Sequence, residues 1–266
     1  MRYGFANKKL TGSLTGSYFY DPLKRASVGA SFGNGIFDLN NFGSMSLLGN
    51  TINSLLYEKN FPKFYEKSFF NINTTRELAS GLQGSLSFDY ARNHTLTNSS
   101  NFKFFDNKEL EFTSNNPFTP AKETPLFPTY TSVSATGSLT YTFGQKYITR
   151  PDGKFYTESK FPRITFLYKK GFRDLLNSDV DYDFIKAEVY QDRISLGLWG
   201  YTSFLVGAGK FVNNNQMYYP DFKHFSGNIS TFFPPNLRKF QYLDFYQFST
   251  NKQYFEAHLE HNFAGF

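Results

Sequence analysis

The residues able to do chemistry are few. The chain has four His and no Cys, which excludes thiol catalysis, disulfides and zinc–thiolate sites. One nucleophile sits at a useful spacing from a base: Ser226, two residues after His224 in the run HFSGN (224–228). On a strand such a pair shares a face, and the imidazole can take the proton of the hydroxyl. Against this, Gly227-Asn228 is turn chemistry, and only Asp221 stands near enough in sequence to orient His224. His94 falls in a polar stretch, and His258 and His261 lie late in the chain. His224 and Ser226 are therefore the candidate catalytic pair. The expectation is that they do not act and that the chain is not an enzyme.

The late histidines belong to a second constellation. In YFEAHLEHNFAGF (254–266), Phe255, Ala257, Leu259, His261 and Phe263 alternate with Glu256, His258, Glu260 and Asn262. Successive side chains of a strand point to opposite faces, so one face is oily and the other wet. Residues two apart stand about 7 Å from each other, too far for neighbouring side chains to close on one ion. Glu256, His258 and Glu260 thus read as a polar network facing a hydrated lumen, and no metal is expected. A third group, Asp179, Asp181 and Asp183 in NSDVDYD, lacks the Gly and terminal Glu of a calcium loop and reads as a solvated hairpin loop. The charge of +6 is scattered, and its longest basic cluster is Lys169-Lys170 with Arg173 nearby. Nucleic-acid binding needs denser clusters on one element. No cofactor and no nucleic-acid partner are expected.

Strands must position these groups. Gly84, Leu86, Phe88 and Tyr90 oppose Ser85, Ser87 and Asp89; Val133, Ala135, Gly137, Leu139, Tyr141 and Phe143 oppose a series of Ser and Thr. Similar runs cover Leu10–Tyr20 and 26–32, with weaker ones at 164–168, 185–189, 204–208 and 240–248. Several keep parity for nine residues or more. Soluble strands typically run about 5–6 residues, whereas a tilted strand crossing a bilayer needs about 9–11. The oily face often ends in Tyr or Phe, as an aromatic girdle does. Tight connections at 21–24 and 249–252 contrast with the long polar stretch 93–130, the pattern of outer-membrane barrels with short turns on one side and long loops on the other. Residues 54–67 have room for a short helix before a strand. Mean hydropathy is −0.46, and no apolar run reaches the length of a transmembrane helix.

Five stretches carry a family resemblance: RYGFANKKLTGSLTGSYFYDP, FGQKYITRPDGKFYTESKFP, KKGFRDLLNSDVDYDF, YYPDFKHFSGN and YFEAHLEHNFAGF. Together they resemble an uncharacterised outer-membrane barrel family of Gram-negative bacteria. Its members pair an N-terminal carboxypeptidase-regulatory-like β-sandwich with a C-terminal barrel of unknown function, itself compared with the surface-antigen and assembly-factor class. HFSGN also resembles the His-x-Ser-Asn-Gly element of outer-membrane phospholipases, with the Gly and Asn in swapped order. The family resemblance attaches no catalytic residues.

The resulting expectation is an all-β, antiparallel transmembrane β-barrel, present as an incomplete fragment over 1–266. At roughly 20 residues per strand and loop it has roughly 12–14 strands. A signal peptide and sandwich domain upstream, and final strands downstream, are expected outside it. The resemblance implies a bacterial outer-membrane location, with outer-membrane lipid, lipopolysaccharide and other envelope proteins as partners. It implies a non-enzymatic role in insertion, export or surface display of envelope components. The alternatives are a solute channel or receptor and, third, a barrel-embedded hydrolase using His224 and Ser226.

Overall fold

The computed structural model describes residues 1–4, 8–40, 45, 47–98, 113–157, 159–228 and 236–263. Ten strands form one antiparallel sheet in which every neighbour in space is the next in sequence. They are β1 (Arg2–Gly4), β2 (Lys9–Asp21), β3 (Ala26–Asp38), β4 (Phe64–Ala79) and β5 (Leu82–Thr95). Then follow β6 (Tyr130–Thr142), β7 (Arg163–Gly171), β8 (Asp181–Ser195), β9 (Tyr201–Gln216) and β10 (Gln253–Asn262). From β2 onward they run 9 to 16 residues, well beyond the usual soluble strand of about 5–6.

The connections alternate between the two ends of the sheet, and three of the four at one end have five residues or fewer. At one end they are 22–25, 80–81, 143–162 and 196–200; at the other, 39–63, 96–129, 172–180 and 217–252. The tightest is Ser80-Gly81, where Gly81 holds φ +77 and its carbonyl accepts the Thr142 N–H at 2.9 Å. A side chain there would be strained by that φ and would meet the Thr142 carbonyl. In 39–63 a helix, α1 (Leu47–Tyr57), precedes β4, so the helix expected in 54–67 forms earlier in the chain. Among the described residues no helix is long and apolar enough to cross a membrane.

Register sorts every strand into two faces. Leu14, Phe32, Phe70, Leu86, Leu139, Phe166, Ile185, Val206 and Phe255, one from each of β2 to β10, lie on the same face, and all are between 37% and 69% exposed. The opposite face carries Ser31, Asn71, Asp89, Ser134 and Lys169, then Lys186, Glu188, Ser203 and Glu256. Cross-strand hydrogen bonds stitch it, Asn71 to Asp89 at 2.8 Å and Ser85 to Ser138 at 2.7 Å. The core lies on this polar side. Leu39 after β3, Tyr65 on β4, Tyr130 on β6, Tyr182 on β8 and Phe211 on β9 join Phe127, Val180 and Tyr246 in one buried cluster. In a flat sheet β3 and β9 would stand roughly 29 Å apart at about 4.8 Å per strand. Their meeting in one cluster means the sheet curls around its polar face.

Four expectations need correction. The sheet has ten strands among the described residues rather than roughly 12–14; the estimate divided the length evenly, whereas the connections here range from 2 to 36 residues. The alternating run 240–248 is not a sheet strand: only Phe240–Gln241 makes a two-residue ladder, and it pairs with Gly227–Asn228 in parallel. That ladder also replaces the turn expected at Gly227-Asn228. Residues 249–252 close the 217–252 connection instead of forming a hairpin turn, and Ser249–Thr250 pairs with Lys223–His224.

Candidate functional site

Residues 217–228 and 236–252, between β9 and β10, lie against the polar face. Charge holds them there. The Arg238 guanidinium donates to both oxygens of Glu188 on β8, at 3.1 and 2.8 Å, and Lys186 reaches Glu188 at 2.8 Å. Lys223 donates to both oxygens of Glu256 on β10, at 3.0 and 3.1 Å. A bidentate guanidinium–carboxylate pair fixes geometry as well as charge. Rings fill the spaces between: Phe225 meets Tyr254 edge-on at 5.7 Å, and Phe240 lies 4.3 Å from the His258 ring.

Deeper in, Asp221 accepts the Tyr218 N–H at 3.3 Å. It keeps some accessible surface yet stands deep among protein atoms, facing Lys169 and Lys67 from β7 and β4. Burial raises its carboxyl above the ordinary range, and the two lysines pull the other way. The hydroxyls of Tyr130 and Tyr182 point into this group without completing a hydrogen bond of full geometry.

Residues 217–228 and 236–252 are also tied to the long connections. Tyr246 donates to Asp38 at 2.5 Å and accepts the Lys63 N–H at 2.8 Å. The Lys63 ammonium donates to the carbonyls of Asn60 and Ser114, both at 2.6 Å. Burial lowers its pKa to about 8, with Glu123 opposing the shift. The two carbonyl contacts favour the charged form, so Lys63 acts as a cationic clasp between connections. At the short-turn end, the hairpin 147–156 folds under the sheet. Lys154 pairs with Glu77 at 2.6 Å and the Arg25 guanidinium lies 4.0 Å over the Tyr156 ring.

The expected site residues sort plainly. His224 and Ser226 are both buried, but they do not meet. Nε2 of His224 donates to the Tyr219 carbonyl at 2.9 Å, which leaves Nδ1 to accept from the Ser249 hydroxyl at 2.8 Å. Ser226 and Asn40 exchange hydrogen bonds at 3.0 and 3.1 Å. Burial lowers the His224 pKa to about 4, so the ring is neutral. Glu256 and His258 share the polar face, with 3.8 Å between His258 Nε2 and Glu256. Glu260 instead accepts from Asn262 at 2.9 Å. His261, on the apolar side, pairs with Thr202 at 2.8 Å.

Of the Asp triplet only Asp179 lies in a loop, exposed in the 172–180 connection between β7 and β8. Asp181 and Asp183 stand on β8, where Asp183 meets Lys170, Tyr168 and Asn213 and Asp181 meets Asn213 and Asn215. Asp179 accepts the Thr131 N–H at 2.8 Å. Among the described residues no three His, Cys, Asp or Glu are placed to hold a metal. Sequence reasoning missed Arg238–Glu188, Lys223–Glu256 and Lys63–Ser114, whose partners are tens of residues apart and leave no spacing signal.

Fold and site together define an all-β protein built on one curled antiparallel sheet, with its polar face covered by its own chain and its apolar face uncovered. The chain belongs to the family of unknown function DUF5686, whose C-terminal-domain model matches residues 1–266. No curated protein matches it.

Proposed function

We propose that this sheet is part of a transmembrane β-barrel of the bacterial outer membrane, with its apolar face in lipid and its polar face in the lumen. One observation carries the reading: an exposed apolar surface continuous over nine strands. Monomeric soluble proteins rarely expose apolar patches beyond a few hundred Å². The band has a height. On β8 its polar limits are Asp183 and Gln191, about 26 Å apart along the strand at 3.3 Å per residue. Tilted by about 40°, that spans about 20 Å, near the ~25 Å apolar band of outer-membrane barrels. Polar side chains of Lys170, Asp183 and Asn213 mark its long-loop edge. Exposed Tyr20, Tyr141, Phe143 and Trp199 mark the other, as interfacial aromatics do.

Within the membrane the protein acts on other envelope components, in their insertion, export or surface display, and not as an open solute conduit or a hydrolase. Residues 217–228 and 236–252 cover the polar face and are tied to it by ion pairs to the buried carboxylates of Glu188 and Glu256, which supports a filled lumen. The separation of His224 from Ser226 counts against the hydrolase. The reading is tested by whether Leu86 and Leu139, but not Ser85 and Ser138, touch acyl chains; contact at all four or at none overturns it.

A further inference from the structure

We propose that the short-turn end of β4 is a headgroup site for an anionic glycerophospholipid, whose acyl chains run along the apolar face. The proposal rests on the membrane reading and adds a specific ligand to it.

A cavity of about 320 Å³ opens there between the 22–25 turn and the end of β4, lined by Lys24, Arg76, Glu77, Leu78 and Lys154 among others. Its charges do not cancel. Lys154 neutralises Glu77 at 2.6 Å, and that pair is buried. Lys24 and Arg76 are exposed, and neither has an ion-pair partner among the described residues. The turn is held beside β4 because the Lys24 carbonyl accepts the Glu77 N–H at 2.8 Å, which keeps both cations at one opening.

The cavity also leads somewhere. Arg76 and Leu78 line it and line an apolar depression of about 1380 Å³ that crosses the sheet from β4 to β10 past Leu86, Leu139 and Phe166. A cationic opening that continues into an apolar trough matches an amphiphile with an anionic head. A planar guanidinium suits phosphate oxygens, and a Lys beside it adds charge without geometry. Two uncompensated cations favour a head with net negative charge over a zwitterionic one, whose own ammonium they would repel. The site stands at the edge of the apolar band, the level at which a bilayer places its phosphates.

The test uses the full chain in detergent micelles, titrated with phosphatidylglycerol, phosphatidylcholine or inorganic phosphate, with retained lipid counted by native mass spectrometry. Phosphatidylglycerol is expected to be retained in preference to phosphatidylcholine. Lys24→Gln and Arg76→Gln should each weaken that retention about fivefold, the effect of one basic side chain near a charged lipid surface. Arg150→Gln, at the same end but outside the cavity, should change nothing. Circular dichroism confirms that each variant stays folded. The site is refuted if the double variant retains phosphatidylglycerol as the wild type does, if Arg150→Gln loses as much, or if inorganic phosphate competes as well as the lipid. A chain that folds in micelles without lipid preference overturns the site alone. A chain that stays out of micelles overturns the membrane reading with it.

Discussion

Acid should loosen the segment folded across the polar face, and His224 sets by how much. Its ring is neutral and buried, donating to Tyr219 and accepting from Ser249. Burial is the main cause that lowers its pKa to about 4, with the Tyr219 carbonyl opposing and Lys223 adding. An unfolded His titrates near 6.5, so between those values the unfolded chain binds the proton and the folded one does not. Stability therefore rises with pH across that window and is lost as pH falls. The loss from this one group is about 2 kcal/mol by pH 5 and about 3 kcal/mol by pH 4. Asp221 works in the opposite sense, because burial raises its carboxyl and the folded state holds that proton more tightly. The raw profile mixes both groups, so the informative quantity is the difference between wild type and His224→Asn. Urea titrations in micelles at pH 8, 6, 5 and 4, with hydrogen exchange followed across 217–252, give it. The wild type should lose the stated stability relative to the variant, with faster exchange centred on 219–249. Parallel profiles for the two proteins would refute the assignment of His224 as a buried neutral ring.

Two substitutions probe the faces. Leu139→Arg places a cation on the exposed apolar face and should cost about 2–4 kcal/mol in a bilayer, while Ser138→Arg, one residue away on the polar face, should cost much less; equal or reversed costs in urea titrations would contradict the register. Glu188→Gln removes the carboxylate that pairs with Arg238 and Lys186. Breaking a buried pair costs about 3–5 kcal/mol, and with Arg238 partly solvated the expected loss is about 1–3 kcal/mol, concentrated in exchange at 236–252.

The strands were legible because their information is local. Leu82–Tyr90 and 132–143 keep parity over nine residues or more, and parity alone assigns Leu86 and Leu139 to one face and Ser85 and Ser138 to the other, as their pairing shows. Alternation could not say whether a run finds a neighbouring strand. Residues 240–248 alternate as well as 164–168 do, yet Arg238, Phe240 and Tyr246 are drawn to Glu188, His258 and Asp38 across the polar face, and that pull has no trace in spacing. The partners of His224 and Ser226 were illegible for the same reason. His224 and Ser226 stand at a spacing that suits a dyad on a regular strand, but a two-residue ladder with Ser249 and a contact to Asn40 set their partners instead. The Asp triplet failed differently: Asp181 and Asp183 read as loop because acidic residues are depleted in strands, and they are held on β8 by Lys170 and two Asn side chains at the edge of the apolar band.

The central claim is that one face of this sheet meets lipid and the other does not. The chain has no Cys, so single cysteines at positions 85, 86, 138 and 139 each carry one fluorophore without background. Refolded into bilayers containing lipids brominated along their acyl chains, the labels at 86 and 139 should be strongly quenched and those at 85 and 138 should keep their emission. Equal quenching at all four positions, or quenching only at 85 and 138, would contradict the account.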